Sequence, residues 1–301
     1  LGAGSYFIPA GFSLSYGYRV VFFKGLVMLM RLLIFILLAY LLILVAVYFL
    51  QQRLLYFPSP SQAPESQLKP LQLTPWPEQN FKGYLGPEPQ QSKGMVLVFH
   101  GNAGAAWQRS YYTRALTRLG YRVLLVEYPG YGGRAGTLNQ QSLTEDGLQT
   151  LKLAGQHFEG PLYLWGESLG AGVVASVAAR LSADSRVAGL ILMAPWDSLT
   201  VLAQHHYWYL PVKWLLKDKY DSITSLSAFD KPVAMLVAGQ DTIIPNRHSL
   251  ALYESLSAPK SIWRFDNASH NNWPNQADAK WWQEVMNFVS AADSVTARNA
   301  N

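Results

Sequence analysis

The chain has no cysteine, which excludes a disulfide framework, a thiolate metal site and a cysteine nucleophile. That absence is compatible with an oxidising compartment without requiring one. Charge is also scarce: Asp, Glu, Lys and Arg supply 14% of the 301 residues, against about a quarter in an average soluble domain. Half of the residues are apolar, so a disordered chain is excluded as well. The formal net charge of +5 is mild and dispersed; a nucleic-acid binder concentrates its basic residues on one face, and no such partner is expected. What remains is one large α/β domain plus apolar mass that need not face water.

The apolar surplus is concentrated near the start. Leu32 to Leu50 reads LLIFILLAYLLILVAVYFL, without charge, Gly or Pro. As a helix it would be roughly 28 Å long, close to the hydrocarbon thickness of a bilayer. It is too long for the apolar part of a cleavable leader, and no small-residue cleavage pattern follows. Residues 32–50 are therefore expected to form a single transmembrane helix. Arg19, Lys24 and Arg31 precede it and Arg53 and Lys69 follow it, which favours a non-cytoplasmic location for the rest. Residues 1–31 form a leader. Met28 or Met30 would give it a conventional short basic form, so the stretch before Met28 is read either as a functional tail or as sequence upstream of the native start. Residues 51–70, broken by Pro and Ser, are expected to be an extended linker, with Leu54 to Phe57 suited to the headgroup zone. Residues 71–290 would form the body and 291–301 a tail.

Within the body, apolar runs at 95–100, 121–128, 162–166, 187–194, 233–239 and 261–266 are separated by amphipathic stretches near 105–119, 141–158, 169–182, 246–257 and 276–290. Continuous apolar strands spaced by helices predict a mostly parallel, doubly wound sheet covered on both faces. Leu71 to Gly86 is expected to add an antiparallel edge hairpin. In such sheets chemistry collects at the carboxyl ends of the strands.

Gly166-Glu167-Ser168-Leu169-Gly170 stands where an apolar strand meets a helix of small residues. A G-x-S-x-G in this context is a nucleophile elbow, because crowding at the turn demands glycine and strain lifts the serine above the sheet. Serine needs a base. Of the six histidines, only His270 lies in the loop directly after the last strand, where the order Ser, acid, His requires it. Asp241, at the mouth of the preceding strand, is the expected acid. Asp197 is the competitor, although it also suits a helix N-cap before SLTVLAQ. His100-Gly101-Asn102-Ala103-Gly104 follows the first long strand. The amides of Asn102 (Ala103 if the turn is shifted) and Leu169 are the expected oxyanion donors. Glu167 has no required role in this reading. His205 and His206 are adjacent rather than four apart, and no metal or cofactor is expected.

The ordered set LLYFPSP, FHGNAG, EYPGYGGRAG, GESLG, APWDSL, WYLPVKWLLKDKYDS, GQDTIIP and ASHNNW, spread over Leu54 to Val289, resembles the α/β-hydrolase superfamily. The branch it resembles is the serine aminopeptidase-like or Bem-type one, many of whose members carry an amino-terminal membrane span. The resemblance implies an α/β-hydrolase fold with a short cap, here about 196–229, and hydrolysis of an ester, thioester or amide. Arg134 stands where many relatives have serine, and Trp165 where a smaller or Phe-like residue is common; both could alter the pocket. The expected substrate is a small or lipid-like acyl ester, cleaved through an acyl-enzyme on Ser168. An aminopeptidase would instead need acids near the cap, where Asp197, Asp218 and Asp221 are the candidates. A non-catalytic scaffold is disfavoured because Ser, Asp, His and glycines are all intact.

Overall fold

The computed structural model describes residues 12–182 and 185–298. They divide between Leu50 and Gln51 into two compact units. Helix α1 covers Phe12–Leu55. Its 44 residues correspond to about 66 Å, well beyond the 32–50 segment expected. No Gly or Pro occurs between Leu26 and Leu55, so nothing local ends the helix at Met28 or at Leu50. The leader is thus helical from Phe12 onward, and residues 1–11 lie outside the described residues. Arg19–Leu55 is long and apolar enough to cross a bilayer, with a mean hydropathy of 3.1 in its most apolar window. Leu32, Phe35, Leu42 and Phe49 are all exposed. An apolar surface on every side has no solvated face to offer water.

The second unit holds strands β1 (Phe57–Pro58), β2 (Thr74–Trp76), β3 (Gly83–Leu85), β4 (Met95–Phe99), β5 (Ala103–Gly104), β6 (Arg122–Val126), β7 (Leu162–Glu167), β8 (Val187–Met193), β9 (Val233–Ala238) and β10 (Lys260–Phe265). Its helices are α2 (Glu65–Leu68), α3 (Tyr111–Thr117), α4 (Gln140–His157), α5 (Leu169–Ala178), α6 (Leu199–His206), α7 (Val212–Leu215), α8 (Ser222–Leu226), α9 (Asn246–Ser255) and α10 (Ala279–Arg298). Eight strands form one sheet in the order β10-β9-β8-β7-β4-β6-β3-β2. It is parallel from β10 to β6 and antiparallel through β3 and β2, the edge hairpin expected from 71–86. β1 and β5 make a separate two-residue parallel ladder. Each expected sheet strand is present within two residues at either end; β4, β8 and β9 are buried at every position and apolar throughout. The last helix continues past 290 to Arg298, so the expected tail from 291 is largely helical.

Residues 51–70 are not an extended linker. Gln51 donates from Nε2 to the Leu215 carbonyl (3.1 Å) and accepts from the Lys217 amide (2.8 Å). Tyr56 is buried rather than in a headgroup zone; its hydroxyl donates to Asp218 Oδ2 (2.8 Å) and lies 3.1 Å from Tyr220 Oη. Burial, and then Tyr220 and Asp218, push the Tyr56 hydroxyl pKa far above its ordinary value. Leu68 and Leu73 also enter the core. Pro and Ser report local backbone bends, whereas packing is decided by the few large side chains between them.

The insertion between β8 and β9, where a short cap was expected at about 196–229, contains α6, α7 and α8. Its neck is closed by Ser222 and Ile223 amides donating to the Asp197 carbonyl and by Leu199 donating to Lys219. Arg134, the departure from the usual serine, holds Asp146 on α4 through two bonds of 2.8 and 2.7 Å. Lys82 approaches the same carboxylate at 2.6 Å. Trp165 is fully buried against Tyr112, Trp281 and Trp282. It is core on the α3–α10 side, not a pocket wall, because alternate residues of β7 face opposite layers.

Candidate active site

Ser168 sits between β7 and α5 with φ 54° and ψ −112°. A non-glycine residue held there stores about 1–3 kcal/mol of strain. The surrounding glycines explain how the turn is accommodated. A Cβ on Gly170 would overlap the Phe99 carbonyl, and one on Gly166 would lie 2.5 Å from Ala171 Cα. The elbow is anchored by the Ser168 amide donating to Met193 O (2.9 Å) on β8. Ser168 makes no side-chain cap for α5, which leaves its hydroxyl for another partner.

That partner is His270, whose Nε2 lies 3.0 Å from Ser168 Oγ. His270 Nδ1 lies 2.7 Å from Asp241 Oδ2. A carboxylate can only accept, so Nδ1 carries the ring proton and Nε2 presents its lone pair to the serine hydroxyl. The three residues follow β7, β9 and β10, and β10 is three places from β7, or roughly 14 Å at the usual strand spacing. The loop after β10 must therefore carry His270 back across the sheet. It is pinned to the acid loop by Gln240 donating to Ala268 O (2.8 Å) and Gly239 to Phe265 O (2.7 Å). Gly239 has to be glycine, since a Cβ would approach the Asp266 carbonyl to 2.5 Å. Asp241 Oδ1 accepts the amides of Ile243 (2.9 Å) and Ile244 (2.8 Å), which fixes the carboxylate plane. The Asp241 and His270 side chains are 1% and 12% exposed. The pair is largely shielded, and the ring keeps a small exposed area.

Asp197 does not join this line. Its Oδ1 accepts from Ser198 N (2.6 Å) and lies 3.1 Å from His248 Nδ1, tying the cap neck to α9. The expected oxyanion turn is held beside the elbow: a Cβ on Gly101 would sit 3.6 Å from Glu167 O and 3.7 Å from Ser168 Cβ. Asn102 O accepts from Phe57 N (2.9 Å) and Tyr131 Oη (2.8 Å), and its side chain donates to Leu55 O (3.1 Å). These bonds fix the Asn102–Ala103 peptide, and the preceding peptide, which carries the Asn102 N–H, is held through its own carbonyl, Gly101 O, by His100 Nδ1 (2.7 Å). Leu169, in the first turn of α5, has no intrahelical acceptor for its N–H.

Two polar networks around the site, one buried and one half-buried, were not visible in the sequence. His100 donates from Nδ1 to Gly101 O (2.7 Å), and its Nε2 lies 3.1 Å from Glu127 Oε1. Glu127 Oε2 accepts from Ala106 N (3.0 Å), so this pair braces both ends of the glycine-containing turn. On the other side, Glu167 accepts from the hydroxyls of Tyr111 (2.9 Å) and Tyr112 (3.1 Å) and faces Arg109 at 3.4 Å. Burial opposes the charge on Arg109, but Glu167, Tyr111 and Tyr112 together outweigh it and raise the guanidinium pKa. The one available signal was a charged residue at the end of an apolar strand, as at Glu127 and Glu167. Such residues need buried partners, but their partners come from other strand ends. Among the described residues, no group of three His, Cys, Asp or Glu side chains could hold a metal ion.

Residues 90–224 match the family described as serine aminopeptidase, S33. An uncharacterized protein of Mycobacterium tuberculosis is 34% identical over 238 residues, covering 74% of this chain and 81% of its own. The lysophosphatidylserine lipase ABHD12 of Danio rerio is 30% identical over 204 residues, covering 62% of this chain and 51% of its own. This chain thus spans about half of that lipase. Among solved structures, an esterase of Pyrococcus furiosus aligns with a TM-score of 0.61 at 16% identity, covering 79% of this chain and 97% of its own. At that identity the likeness concerns the fold alone.

Proposed function

This chain belongs to the α/β-hydrolase superfamily, a hydrolase fold, and we propose that it is a membrane-anchored serine hydrolase of carboxylic esters or thioesters. The observation that carries the reading is the hydrogen-bonded line from Ser168 through His270 to Asp241 on a strained elbow. Ser168 Oγ attacks the acyl carbon while His270 Nε2 takes its proton. Asp241 holds the tautomer and offsets the imidazolium charge without accepting the proton. The amides of Asn102 and Leu169 receive the oxyanion, a donor pair whose loss typically costs about 3 kcal/mol per donor. His270 then protonates the leaving alkoxide or thiolate, and it deprotonates the water that cleaves the acyl-enzyme.

An ester is preferred to an amino-terminal peptide. A peptidase of that kind must hold a substrate ammonium, yet the acids near the cap are engaged. Asp197 binds Ser198 N and faces His248; Asp218 accepts from Tyr56 and the Gln140 amide; Asp221 caps α8. The relative named as a lysophosphatidylserine lipase supports a lipid-like acyl ester. Arg19–Leu55 serves as the anchor. The three basic residues before the apolar run, against two after it, favour a non-cytoplasmic hydrolase domain.

A fluorophosphonate probe tests the nucleophile. Wild type is expected to label and Ser168→Ala not to; equal labelling would refute the assignment. A series of p-nitrophenyl esters run beside an aminoacyl-nitroanilide tests the substrate class, and faster cleavage of the anilide would favour the peptidase.

A further inference from the structure

The cap carries two apolar faces, and only one is used by the fold. Leu199, Leu202, Leu210 and Val212 are buried in the body. From the same segment Tyr207, Trp208, Tyr209 and Trp214 point outward, with Trp208 78% and Trp214 81% exposed. This outward face is built rather than loose. Gln204 Nε2 donates to the carbonyls of Tyr207 (3.3 Å), Trp208 (3.3 Å) and Leu210 (3.0 Å), which fixes the turn, and Trp208 and Tyr209 meet edge to face at 5.7 Å. Exposed aromatic surface of this kind marks an interaction site.

We propose that this aromatic face docks on the anionic headgroup layer of the same bilayer that α1 crosses, and that the natural substrate is an ester-bearing amphiphile resident in that layer. The inference rests on reading α1 as a span. Three observations select a lipid surface as the occupant. Trp and Tyr are the side chains that settle at the membrane–water boundary. Lys213 and Lys217 accompany them, and there is no Asp or Glu from Leu199 to Lys217, so the face complements anionic headgroups. Gln51, one peptide bond after the apolar run ends at Leu50, is held by Leu215 O and Lys217 N on either side of the end of α7. The segment that bears the aromatic face is thus hydrogen-bonded to the first residue of the second unit.

The docked face is also coupled to the site. His206, at the end of α6, donates from Nε2 to the Ile243 carbonyl (2.8 Å), and the Ile243 amide donates to Asp241 Oδ1. One loop thus separates the aromatic turn from the acid that orients His270.

The absence of cysteine makes a direct test available. The full chain, with Trp214→Cys or Lys280→Cys, is spin-labelled and reconstituted in vesicles of equal parts phosphatidylcholine and phosphatidylglycerol. The label at 214 is expected to be relaxed by lipid-dissolved oxygen and protected from an aqueous nickel chelate, while the label at exposed Lys280 shows the reverse. Equal access of the nickel chelate to both positions would overturn the proposal. As a second measurement, Trp208→Ser combined with Trp214→Ser is expected to raise KM for a vesicle-borne long-chain ester about tenfold, with a short soluble ester unchanged. An unchanged KM on vesicles would also overturn it. If wild type is released from membranes by alkaline carbonate, the span and the docking fail together. If neither ester is cleaved, the serine-hydrolase reading fails, and the label still decides the docking.

Discussion

Asp241→Asn isolates the contribution of the carboxylate from that of the fold. Asp241 Oδ1 accepts two amides and Oδ2 faces His270 Nδ1 at 2.7 Å. The amide oxygen of asparagine can keep both Ile243 and Ile244, so the loop and its connection to α6 should persist. The amide nitrogen then takes the place of Oδ2, where a donor meets the Nδ1–H of His270. The imidazole is driven to its other tautomer, in which Nε2 carries the proton and can no longer accept from Ser168 Oγ, 3.0 Å away. The carboxylate charge that offsets the imidazolium is lost as well, about 4 kcal/mol for unit charges some 4 Å apart at an effective dielectric of 20. Together the two effects predict a fall in kcat on the order of 10⁴, or about 5.5 kcal/mol of barrier, as seen when this substitution is made in a serine protease triad. The assay is p-nitrophenyl ester hydrolysis near neutral pH, with thermal unfolding run in parallel to confirm the fold. A fall of less than tenfold would refute the reasoning. So would a comparable loss in Asp197→Asn, whose carboxylate meets His248 and not His270.

Further outcomes follow from other buried contacts. Burial alone would raise the pKa of Asp146, but Arg134 and then Lys82 hold it below the usual 3.8. A depressed carboxylate contributes stability above pH 3.8 that is lost as pH falls through the folded value. The wild-type melting temperature should drop with acid in that window, and in Asp146→Asn the part of the drop due to this group should vanish. At neutral pH the same variant strands Lys82 and Arg134 and should lose about 3–5 kcal/mol; a melting temperature within a degree of wild type would count against the network. Tyr56→Phe removes the hydroxyl that donates to Asp218, and urea unfolding should show a loss of about 1.5–3 kcal/mol. An effect near zero would mean that residues 51–70 are not part of the cooperative unit. Gly170→Ala puts a methyl into the Phe99 carbonyl, so soluble folded protein should be lost or destabilised by at least about 1–3 kcal/mol, as read by thermal unfolding. An unchanged melting temperature would show that the elbow can relax.

The sequence by itself carried the sheet and the three residues of the hydrogen-bonded line. Strands buried on both faces must be apolar at every position, so β4, β7, β8 and β9 are readable from local composition. A serine flanked by glycines between strand and helix, and a histidine in the loop after the last strand, are likewise local patterns with topological meaning. Tertiary structure decided what depends on residues far apart in the chain. It drew residues 51–70 into the body through Gln51 and Tyr56, although their Pro and Ser content suggested a linker. It also gave Arg134 its carboxylate partner and placed Trp165 in the core. The partners of Glu127 and Glu167, and the outward turn of Trp208 and Trp214 while Leu210 and Val212 turn in, were settled in the same way. Periodicity and turn chemistry act over a few residues and can be read from one strip of sequence. Buried polar pairing and the choice of which apolar face meets the core are set by whatever the fold brings opposite, and no local pattern contains that partner.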